Sequence, residues 1–214
     1  MAITLYSYWR STAAYRVRIA LNVKGIEHRI VPVNLVEAEH RASEYRARNP
    51  QMLVPFLEDG DTGIAQSQAI IEYLDERYGE PRLFPGDPAA RARVRAFAAA
   101  IGCDIHPLNN LRVLKYLKGQ LGADEAAVNA WYAHWIHEGF RSLETIASDG
   151  PFALGKELTA ADVFLVAQMY NARRFDVDVS AFPKLVRVEE YCLQLDAFAD
   201  AAPERQADAA PAPR

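Results

Sequence analysis

Two periodicities alternate along the first part of the chain. Ile3-Thr4-Leu5-Tyr6-Ser7-Tyr8 switches between apolar and polar positions and is rich in strand formers, which predicts a first strand. Over 14–23 the period lengthens: Val17, Ala20 and Leu21 recur at helical spacing, and Lys24-Gly25 supplies a cation and then a glycine as the stop. Ile30-Val31-Pro32-Val33 reads as a second strand, its proline favouring a sheet edge. A short charged helix is expected over 38–46. Val54-Pro55-Phe56-Leu57 and Ile64-Ala65 are two short strands around the turn Glu58-Asp59-Gly60-Asp61. From Ser67 to Tyr78, Ile70, Ile71 and Leu74 form one helical stripe. The order is β-α-β-α-β-β-α.

Residues 79–88 contain Gly79, Pro81, Pro85, Gly86 and Pro88 and read as a linker. Beyond it strand patterns nearly vanish, and helices are predicted over 88–117, 124–147, 160–173 and 184–195. The expected organisation is therefore an α/β domain over 1–80 followed by an all-helical domain over 88–200. Residues 201–214 are rich in Ala, Pro and polar side chains without an apolar stripe and are expected to be a disordered tail.

With 214 residues, half of them apolar, the chain is long enough for one large domain or two small ones, and its net charge of −4 is too mild to point to nucleic acid, an anionic membrane or an acidic-tail partner, so none is expected. An anionic ligand must be held by a local cluster of donors. The two cysteines, Cys103 and Cys192, lie among apolar residues and are expected to be buried thiols; no Cys/His spacing points to a metal. There is no basic start followed by a long apolar core and no apolar run of membrane-spanning length, so a cytoplasmic protein is expected.

Several segments can carry chemistry. Arg10-Ser11-Thr12 opens the first helix, where unpaired N–H groups and a partial positive charge favour an anion, a thiolate included. The Ser11 or Thr12 hydroxyl could donate to that anion or serve only as a cap. Gln66-Ser67 opens another helix and offers the same choice between a carboxylate site and a cap. The Val54-Pro55 bond could be cis, which exposes the backbone groups of Val54. In Gly102–Arg112, Pro107 interrupts a long helix and frees the Cys103 carbonyl, with His106 and Asn110 on one face, Asn109 beside them and Arg112 beyond; the alternative is a solvated polar face beside a kink. Thr159 and Asp162 have capping-box spacing and read as structural. Arg173-Arg174-Phe175 closes a helix, either as cations complementing its dipole or with one arginine turned toward a carboxylate.

Together these segments resemble the zeta class of glutathione transferases, the maleylacetoacetate and maleylpyruvate isomerases. The resemblance runs from about Thr4 to Phe198. Its most specific part is Tyr8-Trp9-Arg10-Ser11-Thr12-Ala13-Ala14-Tyr15-Arg16-Val17-Arg18-Ile19-Ala20-Leu21, which is similar to the family signature SSCSWRVRIAL. Asn49-Pro50-Gln51-Met52-Leu53-Val54-Pro55, Gln66-Ser67-Gln68-Ala69-Ile70-Ile71-Glu72-Tyr73-Leu74, the stretch over 102–110 and Ala172-Arg173-Arg174-Phe175 match in order. The signature's cysteine is Ala13 here and its second serine is Thr12.

The resemblance implies a thioredoxin-like N-terminal domain, an all-helical C-terminal domain, a homodimer and a cis Pro55. It implies glutathione as cofactor: Ser11 hydrogen-bonding its sulfur, Val54 pairing with its backbone, Gln66 and Ser67 taking its γ-glutamyl carboxylate, and His40, His106, Asn110 and Arg112 as further contacts. Arg10 and Arg174 would hold the carboxylates of a small dicarboxylate substrate. The implied activity is cis–trans isomerisation: the thiolate adds to the cis double bond, the bond so made single rotates, and the thiolate leaves. Because that nucleophile is glutathione's own sulfur, Ala13 is compatible with activity. Arg112 tilts the substrate toward maleylpyruvate over maleylacetoacetate, unless it binds the glycyl carboxylate of glutathione. The alternatives are a general glutathione transferase, a 2-haloacid dehalogenase using the same thiolate, and a non-enzymatic binding module, against which the retention of Ser11, Gln66 and Ser67 argues.

Overall fold

The computed structural model describes residues 3–209. The chain divides into two compact units, one of residues 3–83 with 194–209, the other of Phe84–Leu193. The C-terminal stretch thus returns to the first unit, whereas the sequence assigns residues up to 200 to the helical domain.

The first unit carries a four-stranded sheet in the order β2-β1-β3-β4, made of β1 (Ile3–Ser7), β2 (His28–Pro32), β3 (Phe56–Asp59) and β4 (Thr62–Ala65). The β1–β2 pair is parallel and the other two pairs are antiparallel. β2 is the predicted edge, where Pro32 costs no ladder bond. β3 begins at Phe56 rather than Val54 because Pro55 has no N–H to give a neighbouring strand. Helices α1 (Thr12–Val23) and α3 (Ser67–Tyr78) pack on each other. Leu5, Val17, Leu21, Leu57, Ile70, Ile71 and Leu74 close the core between sheet and helices, all fully buried. The helix expected over 38–46 is two pieces, a 3₁₀ turn at Glu39–Arg41 and α2 at Ser43–Arg48.

A buried ion pair ties α1 to α3. Lys24 Nζ lies 3.2 Å from Asp75 Oδ1 and also donates to the Pro81 carbonyl at 2.9 Å. Asp75 in turn accepts the Leu83 N–H at 2.7 Å. Burying such charges is costly unless the donors are satisfied, and Lys24 Nζ directs its third N–H to the Gly79 carbonyl at 2.5 Å.

The second unit is built from helices, α4 (Pro88–Ala99), α5 (Leu111–Gly119), α6 (Glu125–Ile146), α7 (Ala160–Arg174) and α8 (Pro183–Cys192), with α9 (Asp196–Ala199) following in the first unit. The single helix predicted over 88–117 is broken. After α4 the backbone widens into a π-helical segment at Ala100–Ile105, where the His106 N–H reaches back to Ile101 O. Pro107 cannot continue the ladder, and Asn110 caps a new helix by accepting the Arg112 N–H at 3.1 Å. Gly139 is the reason α6 fits there: a Cβ at that position would sit 2.2 Å from Ile105 Cδ1.

α7 is apolar nearly all round and forms the centre of this unit, packed by α4 and α8. Its start is the predicted capping box. The Asp162 carboxylate accepts the Thr159 N–H at 2.8 Å and the Ala153 N–H at 2.6 Å. Cys192 is buried as expected, but Cys103 is exposed, because the π-helical segment turns its side chain outward.

The expectation of a disordered tail is corrected over 201–209; residues 210–214 lie outside the described residues. Ala201 and Pro203 are buried, and a 3₁₀ turn spans Pro203–Arg205. What holds this stretch is polar, as shown below, so no apolar stripe marks it.

Burial pushes the Asp162 carboxyl up to about 6 against its hydrogen bonds, which pull it down. The unfolded chain releases this proton near 3.8 and the folded one only near 6, so this group's contribution to stability is full below the first value and is lost as pH rises through the second. Asp162→Asn, which also costs about 1–3 kcal/mol in lost acceptors, removes that slope. Urea unfolding across this window should show the gap between wild type and variant narrowing as pH rises; a constant gap contradicts the assignment.

Candidate active site

Five of the residues expected to hold glutathione, Ser11, His40, Val54, Gln66 and Ser67, lie in the first unit, at or near the ends of its helices and strands. Ser11 occupies the N-cap of α1, its Oγ accepting the Ala14 N–H at 3.2 Å. The cap uses the oxygen as an acceptor and leaves the hydroxyl proton to donate, so cap and anion donor are compatible roles for one side chain. Ser11 is half-exposed, whereas Thr12 is 3% exposed and turned into the fold. Of the two candidate hydroxyls, Ser11 is the accessible one.

Gln66 caps α3 with a φ of 73°, a left-handed conformation that costs a non-glycine residue of order 1 kcal/mol or more. Its side chain is exposed and donates to Gln51 Oε1 at 2.7 Å. Ser67 opens α3 and is buried; Arg16, 2% exposed, points Nη1 at its Oγ from 3.5 Å. A buried guanidinium thus stands behind the start of α3, adding to the positive end of that helix. The Val54-Pro55 peptide is cis, as is Glu80-Pro81, which sequence reasoning missed. Val54 packs with Tyr6, Val33, Tyr45 and Phe56. His40, half-buried, lies in the 3₁₀ turn after β2.

The loop from β1 to α1 is tightly organised. The Ser11 N–H bonds the Tyr8 carbonyl at 2.9 Å. The Arg10 guanidinium stacks on the Trp9 ring, 4.3 Å from its centroid. Beneath the loop Arg18, 1% exposed, donates to Ser7 Oγ and to the Trp9 carbonyl, both at 3.1 Å. Sequence reading saw Arg16 and Arg18 only as part of a motif. Two arginines on an otherwise apolar helix were the available signal that it buries charge.

In the second unit the residues from His106 to Arg112 do not share a helical face, because the helix stops before Pro107. Asn109 turns inward and donates Nδ2 to the Tyr132 carbonyl at 3.4 Å. His106 and Asn110 are half-exposed and Arg112 is exposed. The two arginines closing α7 separate clearly. Arg173 grips Glu189 of α8 with two contacts of 2.9 Å and is structural. Arg174 lies over the Phe175 ring at 4.8 Å and bonds the Tyr132 hydroxyl, which also donates to Asn171 Oδ1. Phe175 stacks on Tyr132 with centroids 3.9 Å apart. Burial raises the Tyr132 hydroxyl well above the phenol range, offset in part by Arg174, so it stays a neutral support for the guanidinium. Nothing in the sequence marks Tyr132, since its partners lie on a different helix.

No group of His, Cys, Asp and Glu able to hold a metal occurs among the described residues, and none of their helices is long and apolar enough to cross a membrane.

Residues 5–82 match the family model of the glutathione S-transferase N-terminal domain. The chain is 47% identical over 210 residues to a maleylpyruvate isomerase of a Ralstonia species, covering 96% of this chain and 99% of the relative. The holo structure of a maleylpyruvate isomerase, a bacterial zeta-class glutathione transferase, superposes with a TM-score of 0.94 at 47% identity, over 97% of this chain and all of that one. A maleylacetoacetate isomerase from Anaeromyxobacter dehalogenans, solved with dicarboxyethyl glutathione and citrate in its active site, gives a TM-score of 0.88 at 40% identity, over 99% of this chain and 95% of that one. The chain therefore belongs to the zeta-class glutathione transferases, the family of the maleylpyruvate and maleylacetoacetate isomerases.

Proposed function

We propose that this protein is a glutathione-dependent cis–trans isomerase of maleylpyruvate or maleylacetoacetate, acting in the cytoplasm as a homodimer. The observation that carries the reading is Ser11: a half-exposed hydroxyl at the N-terminus of a helix, with a proton to donate and a loop that holds it in place. The residues of the first unit fit glutathione. The start of α3, with exposed Gln66, buried Ser67 and the Arg16 guanidinium, suits a carboxylate. His40 and the Val54 backbone are the further contacts assigned within that unit, and His106, Asn110 and Arg112 those from the second.

When bound, glutathione supplies a thiolate that adds reversibly to the cis double bond and leaves once the bond has rotated. A thiol with an ordinary pKa near 8.5 is only a few per cent ionised at neutral pH. Ser11 lowers that pKa by donating to the ionised form, and the α1 N-terminus adds its partial charge. Thr12, buried, supports the turn rather than donating. Arg10 and Arg174 bind the substrate carboxylates, each with its guanidinium pre-oriented by stacking on an aromatic ring. Arg112 is exposed and is assigned to a second carboxylate or to glutathione. No acid–base pair is required, and Ala13 leaves the nucleophile untouched.

A coupled absorbance assay with maleylpyruvate and maleylacetoacetate in parallel tests this. Glutathione-dependent turnover of at least one is expected, and Ser11→Ala should lower kcat by about a hundredfold or more. Failure to turn over either, with glutathione still retained, redirects the reading to a transferase or a dehalogenase that displaces halide. Arg174→Ala should raise KM for the dicarboxylate by about tenfold or more while leaving KM for glutathione unchanged. Equal effects on both would remove Arg174 from the substrate site.

A further inference from the structure

The stretch 201–209 has no apolar face, yet it is fixed to the first unit at both ends. Near its start the Ala201 carbonyl accepts Arg18 Nε at 2.9 Å. Near its end Asp208 Oδ2 accepts the Trp9 N–H at 3.0 Å. Between them Gln206 Nε2 donates to the Asp200 and Ala202 carbonyls, and the Ala209 N–H bonds the Gln206 carbonyl, which sets the turn that presents Asp208.

The consequence falls on one residue. Trp9 has its N–H held by Asp208 and its carbonyl held by Arg18, itself tied to the same stretch. On one side of Trp9 the Tyr8 carbonyl receives the Ser11 N–H; on the other, the Trp9 ring supports the Arg10 guanidinium. The backbone positions that present Ser11 and Arg10 are thus pinned by a strap from the far end of the chain. A bond from a backbone N–H to a carboxylate is roughly twice as strong as its neutral counterpart, so Asp208 is the principal hold on the N-terminal side of the loop.

We propose that Asp208 is a positioning residue for the isomerase reaction, fixing Trp9 so that Ser11 and Arg10 meet the thiolate and the substrate carboxylate. The inference rests on the reading of Ser11 as thiolate donor. Asp208 touches neither ligand in this scheme; it acts as an acceptor that sets loop geometry. Displacement of a reacting group by even about an ångström costs on the order of a hundredfold in rate.

Asp208→Ala and Asp208→Asn in the full chain separate this role from a structural one. Two readouts are needed: kcat and KM for isomerisation, and the pH titration of the bound glutathione thiol followed by thiolate ultraviolet absorbance. Asp208→Ala should lower kcat/KM by about ten- to a hundredfold and raise the bound thiol's pKa, with a lowered urea midpoint but a chain still fully folded under assay conditions. Asp208→Asn, which keeps a carbonyl acceptor, should recover most of both. Wild-type kcat and thiol titration in Asp208→Ala would overturn the proposal, as would an Asn variant as impaired as the Ala variant. A wild type that isomerises nothing would overturn the isomerase reading alone, because the thiol titration still reports whether Asp208 sets the loop.

Discussion

The arrangement around Ser11 depends on a guanidinium with almost no access to water. Arg18 projects from α1 and spends its donors on the end of β1, the Trp9 carbonyl and the Ala201 carbonyl. A buried charge without partners would be prohibitively costly, so the fold is stable only when strand, loop and C-terminal stretch all converge on it. The planar fork of arginine is suited to this: it reaches three separate segments in fixed directions, which a lysine could not. One side chain thereby fixes the helix that supplies the partial positive charge, the loop that carries the hydroxyl and the strap that returns from the far end.

The same logic of local donors explains how a chain of net charge −4 can favour anions. The starts of α1 and α3 present backbone N–H groups, and Arg16 lies buried behind the second of them. Arg10 and Arg174 are each laid against an aromatic ring, which limits the rotamer freedom each would lose in the carboxylate binding proposed for it. This suits a reaction in which the protein must lower a thiol pKa and hold two carboxylates, without moving protons between side chains.

How much of this could be read from the sequence depends on what kind of interaction carries each part. The alternation of Ile3–Ser7 and the stripe of Ser67–Tyr78 are apolar patterns, and they yielded β1 and α3 at nearly the observed bounds, while β3 is displaced by two residues and runs through Glu58 and Asp59, which read as a turn. The break at Pro107 was visible, but its size was not, because apolar spacing continues into α5 and the close approach of Gly139 to Ile105 comes from a distant helix. The strap over 201–209 escaped for a different reason. It is bound by polar contacts to Arg18 and Trp9, and hydrophobic periodicity is blind to those. Likewise Arg173 and Arg174 are indistinguishable in sequence, and both are exposed; only their partners, Glu189 on α8 for the first and Tyr132 on α6 for the second, separate them.

In the proposed reaction the sulfur of glutathione, activated at Ser11, does the chemistry. The most direct measurement replaces glutathione with S-methylglutathione, which retains every carboxylate and peptide group but has no thiol to ionise. S-methylglutathione should compete with glutathione and support no isomerisation of either maleyl substrate. Turnover sustained by S-methylglutathione at a rate near that with glutathione would rule out the thiolate as nucleophile and place the reaction on a side chain of the protein.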